Sequence, residues 1–149
     1  MESSAPARVL VVAYRTAATP ALIEAVAARA ADGPAVFTLL VPLAPRGLHR
    51  LVDPEDTDDS EAQMVLGLAL PLLEEAAGTS VEGRIGDHNP YDAIHDAMNA
   101  DGYDEIIIST LPAPVSRWLR NDLPSKLKPL GVPITTVTAK GAGARVARP

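Results

Sequence analysis

The sequence predicts an α/β fold, a three-layer sandwich around a five-stranded, mainly parallel sheet. Two observations carry this. Five short runs are rich in β-branched and apolar residues, and they alternate with segments whose apolar residues recur at helical spacing. The runs are also apolar almost throughout, as strands covered by helices on both faces must be.

Arg8-Val9-Leu10-Val11-Val12-Ala13-Tyr14 reads as the first strand. Thr19 and Pro20 offer an N-cap and a first helical residue. Leu22, Ile23, Val26, Ala27 and Ala30 then keep helical spacing until Asp32-Gly33-Pro34. Ala35 to Val41 is a second buried strand, closed by Pro42 and followed by a long polar connection from Leu43 to Asp59. Ser60-Glu61-Ala62-Gln63 matches a capping box and is expected to open a helix carrying Met64, Val65, Leu68, Leu72 and Leu73, with Gly78 at its end. Pro71 inside that helix is expected to kink it, because proline lacks a donor and crowds the preceding turn.

Ser80 to Ile85 is a shorter, more polar strand suited to a sheet edge. Asn89 and Pro90 cap and start the next helix, which turns Tyr91, Ile94, Ala97 and Met98 inward and stops at Gly102. The fourth strand is Asp104 to Thr110. After the stiff turn Leu111 to Pro114 come a helical turn at Ser116 to Asn121, a short helix at Leu123 to Leu130 and a fifth strand at Pro133 to Thr138. Residues 1–139 are expected to form a single domain and 140–149 a frayed tail.

Composition narrows the function. The 149 residues are 47% hydrophobic and 21% charged, enough for a core that folds alone. There is no cysteine, which removes disulfides, thiolate nucleophiles and Cys-ligated metals, and points to the cytoplasm. No apolar run is long enough to span a bilayer. Met1 to Arg8 has Glu2 and Pro6 where an export signal needs a basic and then an apolar region, so no such signal is expected. A net charge of −6 argues against nucleic acid as a partner. The ten arginines to three lysines reflect GC-rich coding rather than function.

VLVVA in the first strand, Gly86-Asp87 leading to Asp92-Ala93-Ile94, DEIIIST in the fourth strand and Leu130-Gly131-Val132-Pro133-Ile134 before the last strand stand in an order that resembles the universal stress proteins. These belong to the adenine-nucleotide alpha-hydrolase-like group of folds. Their corresponding passages read GDP…AI, DLIVMGS and ApCPVLVV, and the resemblance spans nearly the whole chain. It implies strand order 3-2-1-4-5, with strands one and four flanking the point where the order reverses, and a homodimer formed through the last strand. It implies no catalytic activity, and a stress or regulatory role.

ATP-binding members of that family carry G-x2-G-x9-G-[ST] after the fourth strand, where glycines let backbone wrap phosphates. Here no glycine lies between Gly102 and Gly131, and Pro112, Pro114 and Pro124 remove donors from that stretch. The acidic residue that often ends the family's first strand falls at Tyr14, followed by Arg15. ATP binding through the usual motif is therefore not expected, and no cofactor is assigned, with adenine nucleotide or phosphate as the alternative.

That alternative is an anion site built from other parts. Arg15, Arg117 and Arg120 would supply charge, and Thr16, Thr19, Ser109, Thr110 and Ser116 hydroxyls, beside the amino end of the first helix. Solvated arginines and helix caps are the plainer reading of the same residues. Tyr14 has two readings, a cap on a nucleobase or the wet end of a strand. Trp118 either stacks on a planar ligand or anchors its loop to the body. Asp87, His88, Asp92, His95 and Asp96 hold metal-capable atoms, but the single helical pair Asp92 and His95 falls short of the three or four ligands a zinc site needs, and no metal is expected. His49 adds nothing. The acidic run Asp53, Glu55, Asp56, Asp58, Asp59 and Glu61 lacks EF-hand spacing and reads as a solvated loop and helix start. Gly78 and Gly86 read as backbone punctuation.

Overall fold

A computed structural model describes residues 5–43, 58–112, 116–120 and 122–139, without the side chains of 58, 59, 117 and 120. The strands are β1 (Ala7–Val12), β2 (Ala35–Pro42), β3 (Val81–Gly86), β4 (Glu105–Thr110) and β5 (Ile134–Thr138). The helices are α1 (Pro20–Asp32), α2 (Asp58–Ala77), α3 (Pro90–Ala100), α4 (Arg117–Arg120) and α5 (Leu123–Lys126), with a 3-10 turn at Lys128–Leu130. All five strands are parallel, in the order β3-β2-β1-β4-β5.

The unbroken apolar run of β1 is explained by its central place. Val9 and Val11 face one helical layer, packing with Leu22 and Val26 of α1 and Ala62, Ala69 and Leu73 of α2. Leu10 and Val12 face the other, among Ala93, Ile94 and Ala97 of α3 and Leu123 and Leu127. Register aligns Val9 with Phe37 of β2 and Glu105 of β4, so all three central strands turn alternate residues to each layer. The more polar β3 is an edge strand, as its composition requires.

Several local expectations are corrected. β1 ends at Val12, so Tyr14 lies in the turn that follows, where the Ala17 amide bonds the Tyr14 carbonyl at 3.3 Å. α2 starts at Asp58, which places Ser60 to Gln63 inside the helix rather than at its cap. The acidic Asp58-Asp59-Ser60-Glu61 start suits the positive end of the helix dipole. As the sequence implies, Pro71 lies inside this helix, which continues to Ala77. The carbonyl deprived of a partner belongs to Gly67, and both residues are exposed, leaving that group open to water.

Thr19 precedes α1 without a side-chain cap bond; its hydroxyl instead donates to the Thr16 carbonyl at 2.8 Å. Asn89 does cap α3, accepting from the Tyr91 amide at 2.9 Å. Gly78 has φ +77°, the left-handed value of a helix-ending glycine. Gly86 is required for a different reason, close packing: a Cβ there would stand 2.6 Å from Ala93 Cβ and 2.9 Å from Leu40 Cδ1. The connection holding His49, Asp53, Glu55 and Asp56, residues 113–115, Asn121 and the tail 140–149 lie outside the described residues.

Candidate functional site

The chain leaves β1 for β2 on one side and leaves β4 for β5 on the other, so the sheet order reverses between β1 and β4. A crevice must open beyond their carboxyl ends, because the two following connections diverge to opposite layers. A cavity of about 240 Å³ occupies that position.

The cavity is lined by Tyr14, Arg15 and Thr16 after β1, by Pro42 and Leu43 at the end of β2, and by His88 before α3. Ser109, Thr110 and Leu111 at the end of β4, then Ser116 and Trp118, complete it. Thr16 and Ser109 are both buried, and their hydroxyls meet at 2.6 Å across the switch point. One of their two protons makes that bond. The other remains for a third group, so the pair presents a donor as well as lone pairs.

The neighbouring hydroxyls also have partners. Thr110 donates to the Leu111 carbonyl at 2.8 Å, and Ser116 accepts the Leu119 amide at 3.1 Å, capping the short α4. Arg15 is exposed at the rim with its guanidinium carbon 5.5 Å from the centre of the Tyr14 ring, a cation–π arrangement. Trp118 is half-buried and does two things: its ring packs against the core cluster of Leu10, Val12, Ile106 and Ile108, and it also lines the cavity.

Of the nine residues singled out from sequence, Tyr14, Arg15, Thr16, Ser109, Thr110 and Ser116 surround this cavity. Thr19 does not line it; its hydroxyl braces the turn below. The side chains of Arg117 and Arg120 lie outside the described residues. Pro42, Leu43 and Leu111 were missed, as apolar residues carry no chemical signature. Their position at the carboxyl ends of β2 and β4 was the available signal. His88 was weighed only for metal, yet it faces the cavity, while His95 stacks against Tyr91 at 4.4 Å between ring centres. Among the described residues no three His, Asp or Glu side chains converge as metal ligands, and no helix is long and apolar enough to cross a membrane.

Architecture and cavity together define a doubly wound α/β domain with a switch-point crevice. Its fold is that of the universal stress proteins, as comparison with solved structures shows. A universal stress protein in complex with cAMP superposes with a TM-score of 0.62 at 16% identity, over 92% of this chain and 100% of that one. One from Arabidopsis thaliana with AMP bound gives 0.62 at 14% identity, over 91% and 94%. One from Archaeoglobus fulgidus in complex with dAMP gives 0.57 at 16%, over 89% and 98%. No family model and no curated protein matches the sequence.

Proposed function

We propose that this chain is a non-catalytic, cytoplasmic regulatory domain of universal-stress-protein type that takes a small phosphate-bearing ligand, of mononucleotide size, in the switch-point cavity. The observation that carries this reading is the meeting of six sequence-selected residues around one cavity at the ends of β1 and β4. The buried Thr16–Ser109 pair offers a directed hydroxyl, Arg15 a cation at the rim, and Tyr14 and Trp118 aromatic surface for a planar base. Neighbours of the same fold hold AMP, cAMP and dAMP.

Size and composition both favour a monophosphate over ATP. The cavity's 240 Å³ is below the ~300–1,000 Å³ common for ligand pockets. The stretch after β4 has no glycine with which backbone could wrap a triphosphate.

Calorimetric and thermal-shift titration against ATP, ADP, AMP, cyclic AMP and inorganic phosphate tests this. Saturable binding of AMP or cyclic AMP, stronger than ATP and without turnover, is the expected result. Saturable micromolar ATP binding that exceeds AMP overturns the assignment, and silence across the panel overturns the ligand site itself. The reading also includes a homodimer through β5, the last strand of the described sheet, whose Thr135, Thr136 and Thr138 are exposed. Light scattering is expected to give twice the chain mass.

A further inference from the structure

α2 is apolar on the wrong side as well as the right one. Its inward residues Ala62, Ala69 and Leu73 are buried, and Leu66 and Leu70 approach Gly83 of β3, so the sheet is covered without help from the outer face. Yet Met64 is 67%, Leu68 68% and Leu72 40% exposed. These three recur every fourth residue and form one outward stripe along the helix. A helix that is hydrophobic all round normally has both faces covered, and a contiguous exposed stripe marks an interaction surface.

The charges around the stripe decide what covers it. Glu61 and Glu75 are exposed at its two ends, and α2 contains no lysine or arginine. α1, packed beside α2, exposes Glu24 and Asp32. Its only cation, Arg29, is held by Glu105 on the sheet. The outer surface of this layer therefore combines apolar anchors with anionic groups, and its two described helices offer no free cation.

A second copy of the chain fits poorly, since an antiparallel pairing of two α2 stripes would set Glu61 of one copy against Glu75 of the other. An anionic bilayer fits no better, because surface helices that lie on lipid need Lys and Arg on their polar face. We infer that the Met64–Leu68–Leu72 face of α2 docks a basic amphipathic helix of a partner protein. Leucine-like anchors at i, i+4 and i+7 would lie along the stripe, and flanking Lys or Arg would meet Glu61 and Glu75. This surface is separate from the switch-point cavity and does not depend on its ligand.

The test uses the full chain and a labelled synthetic helix with leucines at i, i+4 and i+7 and lysines on its flanks, read by fluorescence anisotropy. The same peptide with glutamates for lysines is the control, and Leu68→Ser and the double variant Glu61→Gln/Glu75→Gln probe the two components. Both replace exposed side chains, and unchanged thermal unfolding confirms the fold. The expected result is saturable binding of the lysine peptide alone, weakened about tenfold by Leu68→Ser. The paired glutamine variant should weaken it less and remove most of its salt dependence.

Equal binding to wild type and Leu68→Ser, or equal binding of both peptides, overturns the proposal. So does absence of lysine-peptide binding. A dimer that Leu68→Ser dissociates would show a second copy on the stripe and would also overturn it.

Discussion

Thr16 and Ser109, 93 residues apart in sequence, join their hydroxyls at 2.6 Å where β1 and β4 part. Each is almost wholly excluded from solvent, at 2% and 1%. The bond ties the loop after β1 to the end of β4, and so sets the width of the crevice between them. The Thr16 carbonyl is also held, by the Thr19 hydroxyl and amide at 2.8 and 3.1 Å, which fixes the backbone under the pair.

Removing either hydroxyl alone leaves the other buried with one partner fewer. Thr16→Val or Ser109→Ala is each expected to lose about 1–3 kcal/mol of stability. The double variant should lose clearly less than the two losses combined, because no orphan remains. Urea unfolding of the four proteins gives the coupling directly, expected at about 0.5–3 kcal/mol. Full additivity would mean that the two hydroxyls do not depend on each other.

Three glycines should respond in opposite directions to alanine. At Gly86 a new Cβ would press on Ala93 and Leu40 at 2.6 and 2.9 Å, forcing α3 away from β3. Gly86→Ala is expected to destabilise by about 1–3 kcal/mol, the usual cost of overpacking. Gly78→Ala should also destabilise, since φ +77° strains any residue with a Cβ. Gly67 sits exposed within α2 with nothing near its missing Cβ, and Gly67→Ala should stabilise by about 0.5–1 kcal/mol. Melting temperatures of the three variants check all three signs.

The fold was legible because its signals are local and repeated: apolar runs for buried strands, Asn89-Pro90 for a helix start, Gly78 and Gly102 for stops. The order 3-2-1-4-5 came from resemblance, and the pairing of β1 with both β2 and β4 bears it out. Errors arose where one motif had two uses. Ser60 to Gln63 spells a capping box, but the helix begins three positions earlier than that box implies, at Asp58 rather than Glu61. The spacing of Met64, Leu68 and Leu72 marks a helix without saying which face looks inward, and Ala62, Ala69 and Leu73 took the inward face. Gly86 looked like punctuation because close packing between a helix and a strand leaves no trace in local sequence. At the site, polar residues could be selected, whereas Pro42, Leu43 and Leu111 line the cavity only through their place at strand ends.

Arg29 and Glu105 form a two-pronged pair, Nε to Oε1 at 2.8 Å and Nη2 to Oε2 at 2.7 Å, that fastens α1 to the start of β4. Hydrogen bonding to Glu105 holds the guanidinium above its ordinary pKa, outweighing a smaller lowering by burial. The folded value thus exceeds the unfolded one. Stability from this arginine is fully present below the unfolded value and fades only as pH rises through the folded one, on the far alkaline side. It should add no pH dependence near neutrality. Arg29→Met is expected to lose about 1 kcal/mol, and Arg29→Lys to recover less than half, since a single ammonium cannot match both oxygens. Urea midpoints compared at neutral and mildly alkaline pH check both statements.

Trp118 is the only tryptophan in the chain, and it borders the core on one side and the cavity on the other. Its fluorescence therefore reports on the site without any label. A planar base in the cavity should shift its emission in parallel with the calorimetric titration. Trp118→Phe keeps an aromatic face and is expected to hold mononucleotide affinity within a few-fold, with a stability loss of about 1 kcal/mol. Trp118→Ala removes both contacts: affinity should fall about tenfold or more, in line with the ~1–3 kcal/mol that stacking contributes per base, and stability by about 2–4 kcal/mol. The two readouts separate the roles. If alanine lowers stability while the affinity of the remaining folded protein is unchanged, Trp118 is an anchor for its loop and the base lies elsewhere. If phenylalanine restores affinity but not full stability, the ring itself meets the ligand.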